Sequence, residues 1–224
     1  MLFSHQDIMV MIYFRNLFIC VAILSFSVSV NAGQIYKKPP PNPDPNKIYL
    51  FYLHGKYLEK NDNTTIYQYP EILESLSNNQ INVIGEIRKS AELAPNIYAN
   101  RIFDQVNQLI SRGVPASNIT VAGHSKGGLL AMVASTLIKR DEIRFAILAS
   151  CAYAGKQVRN YHRFIRHRAR RMRGKFLIIW EKSDKGFADC NEAMKVAGVP
   201  FKNIRLTNGG GHRLFYQPNV SWMR

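Results

Sequence analysis

Residues 123–128 read Gly-His-Ser-Lys-Gly-Gly, and they follow at once on the apolar run Ile119, Thr120, Val121, Ala122. Beyond them Leu129, Leu130, Val133 and Leu137 recur at helical spacing between Lys126 and Arg140. A β-rich run, a Gly-x-Ser-x-Gly turn and a helix in that order form a strand, a sharp turn and a helix, with Ser125 exposed at the turn. The serine of such a turn has a strained backbone, and side chains at Gly123 or Gly127 would collide with the chain around it. A serine hydroxyl becomes a useful nucleophile only when a base takes its proton and donors receive the charge developing on the attacked carbonyl. Ser125 therefore sets a question that the rest of the chain has to answer: where are the base, the acid and the oxyanion donors?

Working outward, short near-continuous apolar runs occur at Ile48–Leu53, Ile81–Ile87, Ile119–Ala122, Arg144–Ala149, Phe176–Trp180 and Asn203–Leu206. Runs of this kind fit strands buried on both faces of a parallel sheet. Helical patterns lie between them: Ile97, Ile102, Val106, Leu109 and Ile110 share one helix, which Gly113 ends. Strands alternating with helices imply right-handed βαβ units and an α/β fold, a doubly wound, mostly parallel sheet of about six strands. Ligands of such sheets bind at the carboxyl ends of the strands. No internal repeat is visible.

A carboxylate at the end of a later strand and a histidine after the last strand would complete the chemistry. Glu181, Lys182, Ser183 and Asp184 follow the run ending at Trp180, and Asp184 is the chosen acid, with Glu181 and Asp189 as substitutes. The carboxylate would accept a hydrogen bond from the histidine, fix its tautomer and stabilise the imidazolium. The chain has six histidines. His5 lies in the leader, His54 and His124 sit inside other motifs, and His162 and His167 belong to a basic stretch. His212, delivered by the loop Asn208-Gly209-Gly210-Gly211, remains as the base.

The order Ser125, Asp184, His212 together with the elbow resembles the α/β-hydrolase superfamily. A second match is Leu53-His54-Gly55-Lys56 after the Ile48–Leu53 run, where that superfamily carries a His-Gly turn. The resemblance implies two backbone oxyanion donors, the N–H groups of Lys56 and Lys126, and no cofactor. It covers nearly all of residues 47–224. It also implies a small form of the fold, since the two strands that usually open it have no room and the gap from Ala149 to Lys175 is too short for a large cap. Phosphate-loop, His-Glu-x-x-His and paired Cys-x-x-Cys patterns are missing from the sequence, so no metal site is indicated.

The chain of 224 residues, 46% hydrophobic, is long enough for one domain with a substantial core. Its first 32 residues differ from the remainder. Arg15 and Asn16 precede an apolar run from Leu17 to Val30 that ends in Val30-Asn31-Ala32, which is the pattern of a cleaved secretory signal. An uncleaved membrane anchor over residues 8–30 is the alternative, although a span needs about 20 apolar residues. The start is open between Met1, Met9 and Met11. Residues 33–47, with the Pro-rich Lys37–Lys47, read as an extended tether into a domain over 48–224. Removing residues 1–32 deletes one charge of each sign, Asp7 and Arg15, so the net charge stays at +15. It also leaves two cysteines, Cys151 and Cys190, as a candidate disulfide or as two buried thiols.

Between Ile143 and Trp180 no acidic residue occurs, whereas residues 156–175 hold Lys156, Arg159, Arg163, Arg166, Arg168, Arg170, Arg171, Arg173 and Lys175. Tyr161, Phe164, Ile165 and Met172 would share one face of a helix, making the stretch a cationic amphipathic helix near the strand ends. Two roles stand open for it: a solvated face, or attraction of an anionic substrate or membrane surface. Nucleic acid is not indicated, because no recognition motif accompanies the charge. The expected protein is an exported serine hydrolase, secreted or periplasmic, that cleaves a carboxylic ester or thioester through an acyl-enzyme. The alternative is a catalytically silent member of the fold that binds a polyanion or membrane through residues 156–175.

Overall fold

A computed structural model describes residues 33–61, 63–89 and 95–223. The expected signal or anchor lies outside the described residues. In chain order the elements are β1 (Ile35–Tyr36), β2 (Ile48–Leu53), α1 (Lys56–Asn61), α2 (Tyr69–Leu76), β3 (Ile81–Ile84), α3 (Pro95–Ser111), β4 (Ile119–His124) and α4 (Lys126–Ile138). They continue as β5 (Arg144–Leu148), β6 (Cys151–Ala152), α5 (Val158–His167), β7 (Lys175–Glu181), β8 (Phe187–Ala188), α6 (Asn191–Ala197), β9 (Phe201–Leu206) and α7 (Val220–Met223).

The main sheet has seven strands in the order β1-β3-β2-β4-β5-β7-β9, and all its pairs are parallel. From β2 the chain steps to β3 on one side, then crosses to β4 on the other, so the order reverses between neighbouring strands β2 and β4. Reversals of this kind open a crevice at the carboxyl ends of the two strands. His54 follows β2 and Ser125 follows β4, which brings the two motifs to the same crevice.

Alternation along β2 builds both layers. Tyr49, Phe51 and Leu53 face a core with Ile102, Val106 and Leu109 of α3 and much of α4, while Leu50 and Tyr52 face α2, Phe215 and Trp222. α4 is apolar nearly all round, with Leu130, Ala131, Met132, Val133 and Ala134 buried, as a helix enclosed by neighbours should be. It is the element that carries the turn of Ser125, so the elbow rests on the most enclosed helix of the domain.

The sheet exceeds the expected six strands by β1, a two-residue edge strand paired to β3 through Ile35–Val83 and Tyr36–Ile84. Two residues give no period to read. The stretch 33–47 also departs from a free tether: Pro39 and Pro40 are buried, Arg112 donates to the Pro40 carbonyl at 2.9 Å, and Asn118 donates to the Pro45 carbonyl at 3.1 Å. Prolines keep their carbonyls as acceptors, and here the domain uses them. A second small sheet pairs β6 with β8, antiparallel. Cys151 and Cys190 are bonded across its end, with 39 residues of separation. Among the described residues no helix is long and apolar enough to cross a membrane.

Candidate active site

Ser125 sits between the last residue of β4 and the first of α4 with φ 55° and ψ −119°. A non-glycine residue held there costs roughly 1–3 kcal/mol and persists only where the surroundings dictate it. The surroundings do so: Ser125 N–H donates to the Leu148 carbonyl at 2.8 Å, and Gly128 and Leu129 N–H both donate to the Ser125 carbonyl. The flanking glycines are obligatory. A Cβ on Gly123 would lie 2.4 Å from the Gly127 carbonyl carbon, and one on Gly127 would lie 1.9 Å from the Leu53 carbonyl oxygen. His124, buried beside the serine, has its Nδ1 3.1 Å from the Tyr67 hydroxyl, and burial, then the neighbouring His212, hold its pKa well below the usual histidine value.

Asp184 leaves the end of β7 and is buried. Its Oδ1 accepts the N–H groups of Gly186 at 2.9 Å and Phe187 at 3.1 Å, and its Oδ2 lies 2.7 Å from His212 Nδ1. A carboxylate already accepting two amides leaves the imidazole as the donor, so Nδ1 carries a proton towards Asp184. The His212 ring stacks on Phe187, with centroids 4.5 Å apart, and lies 4.6 Å from the ring of His124. Ser125, His124 and His212 line one cleft of about 330 Å³ with Gly55, Lys56 and Tyr216.

Glu181, held in reserve as an acid, does something else. Its carboxylate accepts the N–H and the hydroxyl of Ser183 and the N–H groups of Gly209 and Gly211. It thereby ties the loop carrying Asp184 to the loop carrying His212. Burial pushes its pKa up, and the donors outweigh that and leave it below the usual carboxylate value. Asp189 accepts the Asn191 N–H at 3.0 Å near the start of α6, away from His212.

Lys56 and Lys126 are the first residues of α1 and α4, and both line the cavity that Ser125 enters. Behind them lies a buried polar cluster. Glu59 on α1 takes Arg88 Nε at 2.9 Å and Lys126 Nζ at 2.6 Å. Arg88 is 2% exposed, lies 5.0 Å from the centre of the Tyr98 ring, and donates from its guanidinium to the His54 carbonyl. Its backbone N–H meets His54 Nε2 at 2.8 Å, while His54 Nδ1 meets the Gly55 carbonyl at 2.8 Å. An accepting Nε2 requires the proton on Nδ1, so His54 is neutral; burial, then Arg88, keep its pKa well below the usual value. Gly55 N–H donates to the Tyr67 hydroxyl at 3.3 Å, and its missing side chain leaves room for His124 and Ser125. Glu59 thus joins the helices that begin with Lys56 and Lys126 and sets their first amides relative to each other. Burial lowers the Lys126 pKa, and Glu59 opposes the shift. Sequence reading found His54, Gly55 and Lys56 but not Glu59, Arg88 or Tyr67, because their partnership is between side chains distant in the chain.

Ser125 also lines a second, mainly apolar cavity of about 300 Å³, bounded in part by Leu129, Leu130, Ala152, Tyr161 and Phe187, and His212 is not part of its lining. Ala152 and Phe187 face each other across the small sheet, which the Cys151–Cys190 bond closes. α5 forms another wall. Its Tyr161, Phe164 and Ile165 are buried in the core, while Lys156, Arg159, Arg163, Arg166, Arg170 and Arg171 of the segment are exposed.

A family profile described as lipase (class 3) matches residues 59–184 of this chain. No curated protein sequence gives a match. Among solved structures the chain is similar to a thermostable esterase from Pseudomonas putida ECU1011, at 13% identity and a TM-score of 0.53, covering 82% of this chain and 72% of that one. It is also similar to esterase B from Lactobacillus rhamnosis HN001, at 14% identity and a TM-score of 0.52, covering 79% and 70%. At these identities the likeness concerns the fold.

Proposed function

Since the chain belongs to the class 3 lipase family, within the α/β-hydrolase superfamily, we propose that it is a serine hydrolase that cleaves a carboxylic ester or thioester through an acyl-enzyme. Ser125 Oγ attacks the carbonyl carbon while His212 Nε2 takes its proton. Asp184 holds the ring by Nδ1 and stabilises the imidazolium, and the backbone amides of Lys56 and Lys126 receive the oxyanion. The imidazolium then protonates the departing oxygen or sulfur, which leaves on the His212 side. A water enters by the same route and attacks the acyl carbon while His212 Nε2 takes its proton; the bond from that carbon to Ser125 Oγ then breaks, His212 returns the proton to Oγ, and the acid leaves.

The observation that carries this reading is the 2.7 Å contact between His212 Nδ1 and Asp184 Oδ2 at the mouth of a cleft that also holds Ser125 in its strained turn. The test is a fluorophosphonate probe on purified folded protein, followed by p-nitrophenyl acetate turnover. Labelling and turnover are expected, and Ser125→Ala should abolish both. A folded protein that neither labels nor turns over ester would overturn the reading in favour of a silent binder. We further propose export, supported by the composition of residues 1–32 and by a disulfide, a bond that persists in oxidising compartments.

A further inference from the structure

Pro95, Leu129 and Asn160 line the apolar cavity beside Ser125, and the same three residues line a second, larger cavity of about 510 Å³. The two spaces adjoin. The second has an apolar floor of Leu129, Val133 and Phe164 and a cationic edge of Arg163, His167 and Arg168, with no acidic residue among its described lining. Arg168 is held in place by Asn96 Oδ1 at 2.6 Å. The apolar side of α5, with Tyr161, Phe164 and Ile165, is buried in the core and so is not presented to a membrane, while Arg163 and Arg168 stand at the edge of the cavity.

The catalytic geometry decides which half of a substrate reaches them. His212 must protonate the leaving atom, so the alcohol or thiol lies in the cleft with Lys56, Lys60 and Tyr216. The acyl half then takes the other space that Ser125 lines, the one without His212, along Leu130 and Tyr161 towards Arg163 and Arg168. A long neutral chain would cover these guanidinium groups without offering them a partner, whereas an anionic terminus offers one. We propose that the preferred substrates are esters whose acyl chain ends in an anionic group, a carboxylate or a phosphate, received by Arg163 and Arg168. This inference rests on the reading of Ser125 as the nucleophile.

The test compares p-nitrophenyl acetate, p-nitrophenyl octanoate and the mono-p-nitrophenyl ester of octanedioic acid. The octanedioate should exceed the octanoate in kcat/KM by about tenfold. The gain should shrink as salt rises. Arg163→Gln combined with Arg168→Gln should remove the gain. Arg163→Gln alone should remove part of it and guards against a folding defect from the lost Asn96 bond. Arg170→Gln with Arg171→Gln, exposed and outside the cavity lining, should keep the ratio. Equal or lower turnover of the octanedioate overturns the proposal, as does an equal loss of ratio in the Arg170 and Arg171 variant, which would mark a diffuse field. So does octanoate turnover stimulated by anionic phospholipid vesicles without any octanedioate preference, which would assign the cations to surface docking. Acetate turnover without that preference removes this proposal alone; silence on all three esters with no fluorophosphonate labelling removes the hydrolase reading as well.

Discussion

Glu59 holds two cations with a side chain that is 1% exposed, and it does so directly behind the amides assigned to the oxyanion. Removing one member of a buried ionic cluster leaves the others charged and unsolvated, which costs roughly 3–5 kcal/mol. Glu59→Gln should therefore lower the unfolding free energy by about that amount in urea denaturation. It should also lower kcat more than it raises KM, because an oxyanion donor out of place is felt chiefly in the transition state. A variant with wild-type stability and kcat would show that the cluster has no part in positioning. The glycines behave differently at this scale. Gly127 has no space for a Cβ, whereas Gly155, at φ +76°, has no atom within 4 Å of one, so only the backbone preference opposes a side chain there.

Among the elements, α5 shows how far a periodic pattern reaches. Tyr161, Phe164 and Ile165 are buried on one face, as their spacing implies, but the helix ends at His167, so Met172, expected on the same face, is buried instead in extended backbone after a short 3-10 turn. In α3, by contrast, Ile97 is exposed and Tyr98 and Ala99 are buried, so the apolar face starts one residue later than the isoleucines suggest. The small sheet β6–β8 matters more than its size. Its Phe187 stacks on His212, and the Cys151–Cys190 bond fixes the strand opposite. A bridge closing a loop of this length is worth about 4 kcal/mol through the unfolded chain. Cys151→Ala with Cys190→Ala should lower the unfolding free energy by about 4 kcal/mol, and wild-type protein under reductant should show the same loss. Identical melting with and without reductant would contradict it.

For the whole molecule, acid is the condition to vary. His54 and His124 are fully buried and neutral, with pKa values well below the ordinary 6.5. The unfolded chain takes up these protons first, so their contribution is complete above about pH 6.5 and declines as pH falls towards the depressed values. Glu181, also depressed, keeps its contribution above the usual carboxylate value of 4.5 and loses it below that. Melting temperature should be level above neutrality, fall from about pH 6.5, and fall more steeply once carboxylates titrate. His124→Phe should flatten the first decline; a level melting curve between about pH 7.5 and pH 5 would refute the assignment of two buried neutral histidines.

Much of the architecture was legible in the chain itself. Ile48–Leu53 matches β2 residue for residue, and Ser125, Lys56 and His54 could be placed at strand ends because strand, turn and helix each announce themselves over neighbouring residues. Period and turn chemistry are local properties, and a sequence displays local properties directly. Tertiary packing alone decided the short edge strand at Ile35–Tyr36, the docking of the prolines at 39 and 40, the cluster of Glu59, Arg88 and Lys126, and the task of Glu181. Those features join groups up to tens of residues apart through single hydrogen bonds or ion pairs. Such bonds leave no period in the chain, because each is set by which backbones the completed sheet brings within about 3 Å of one another.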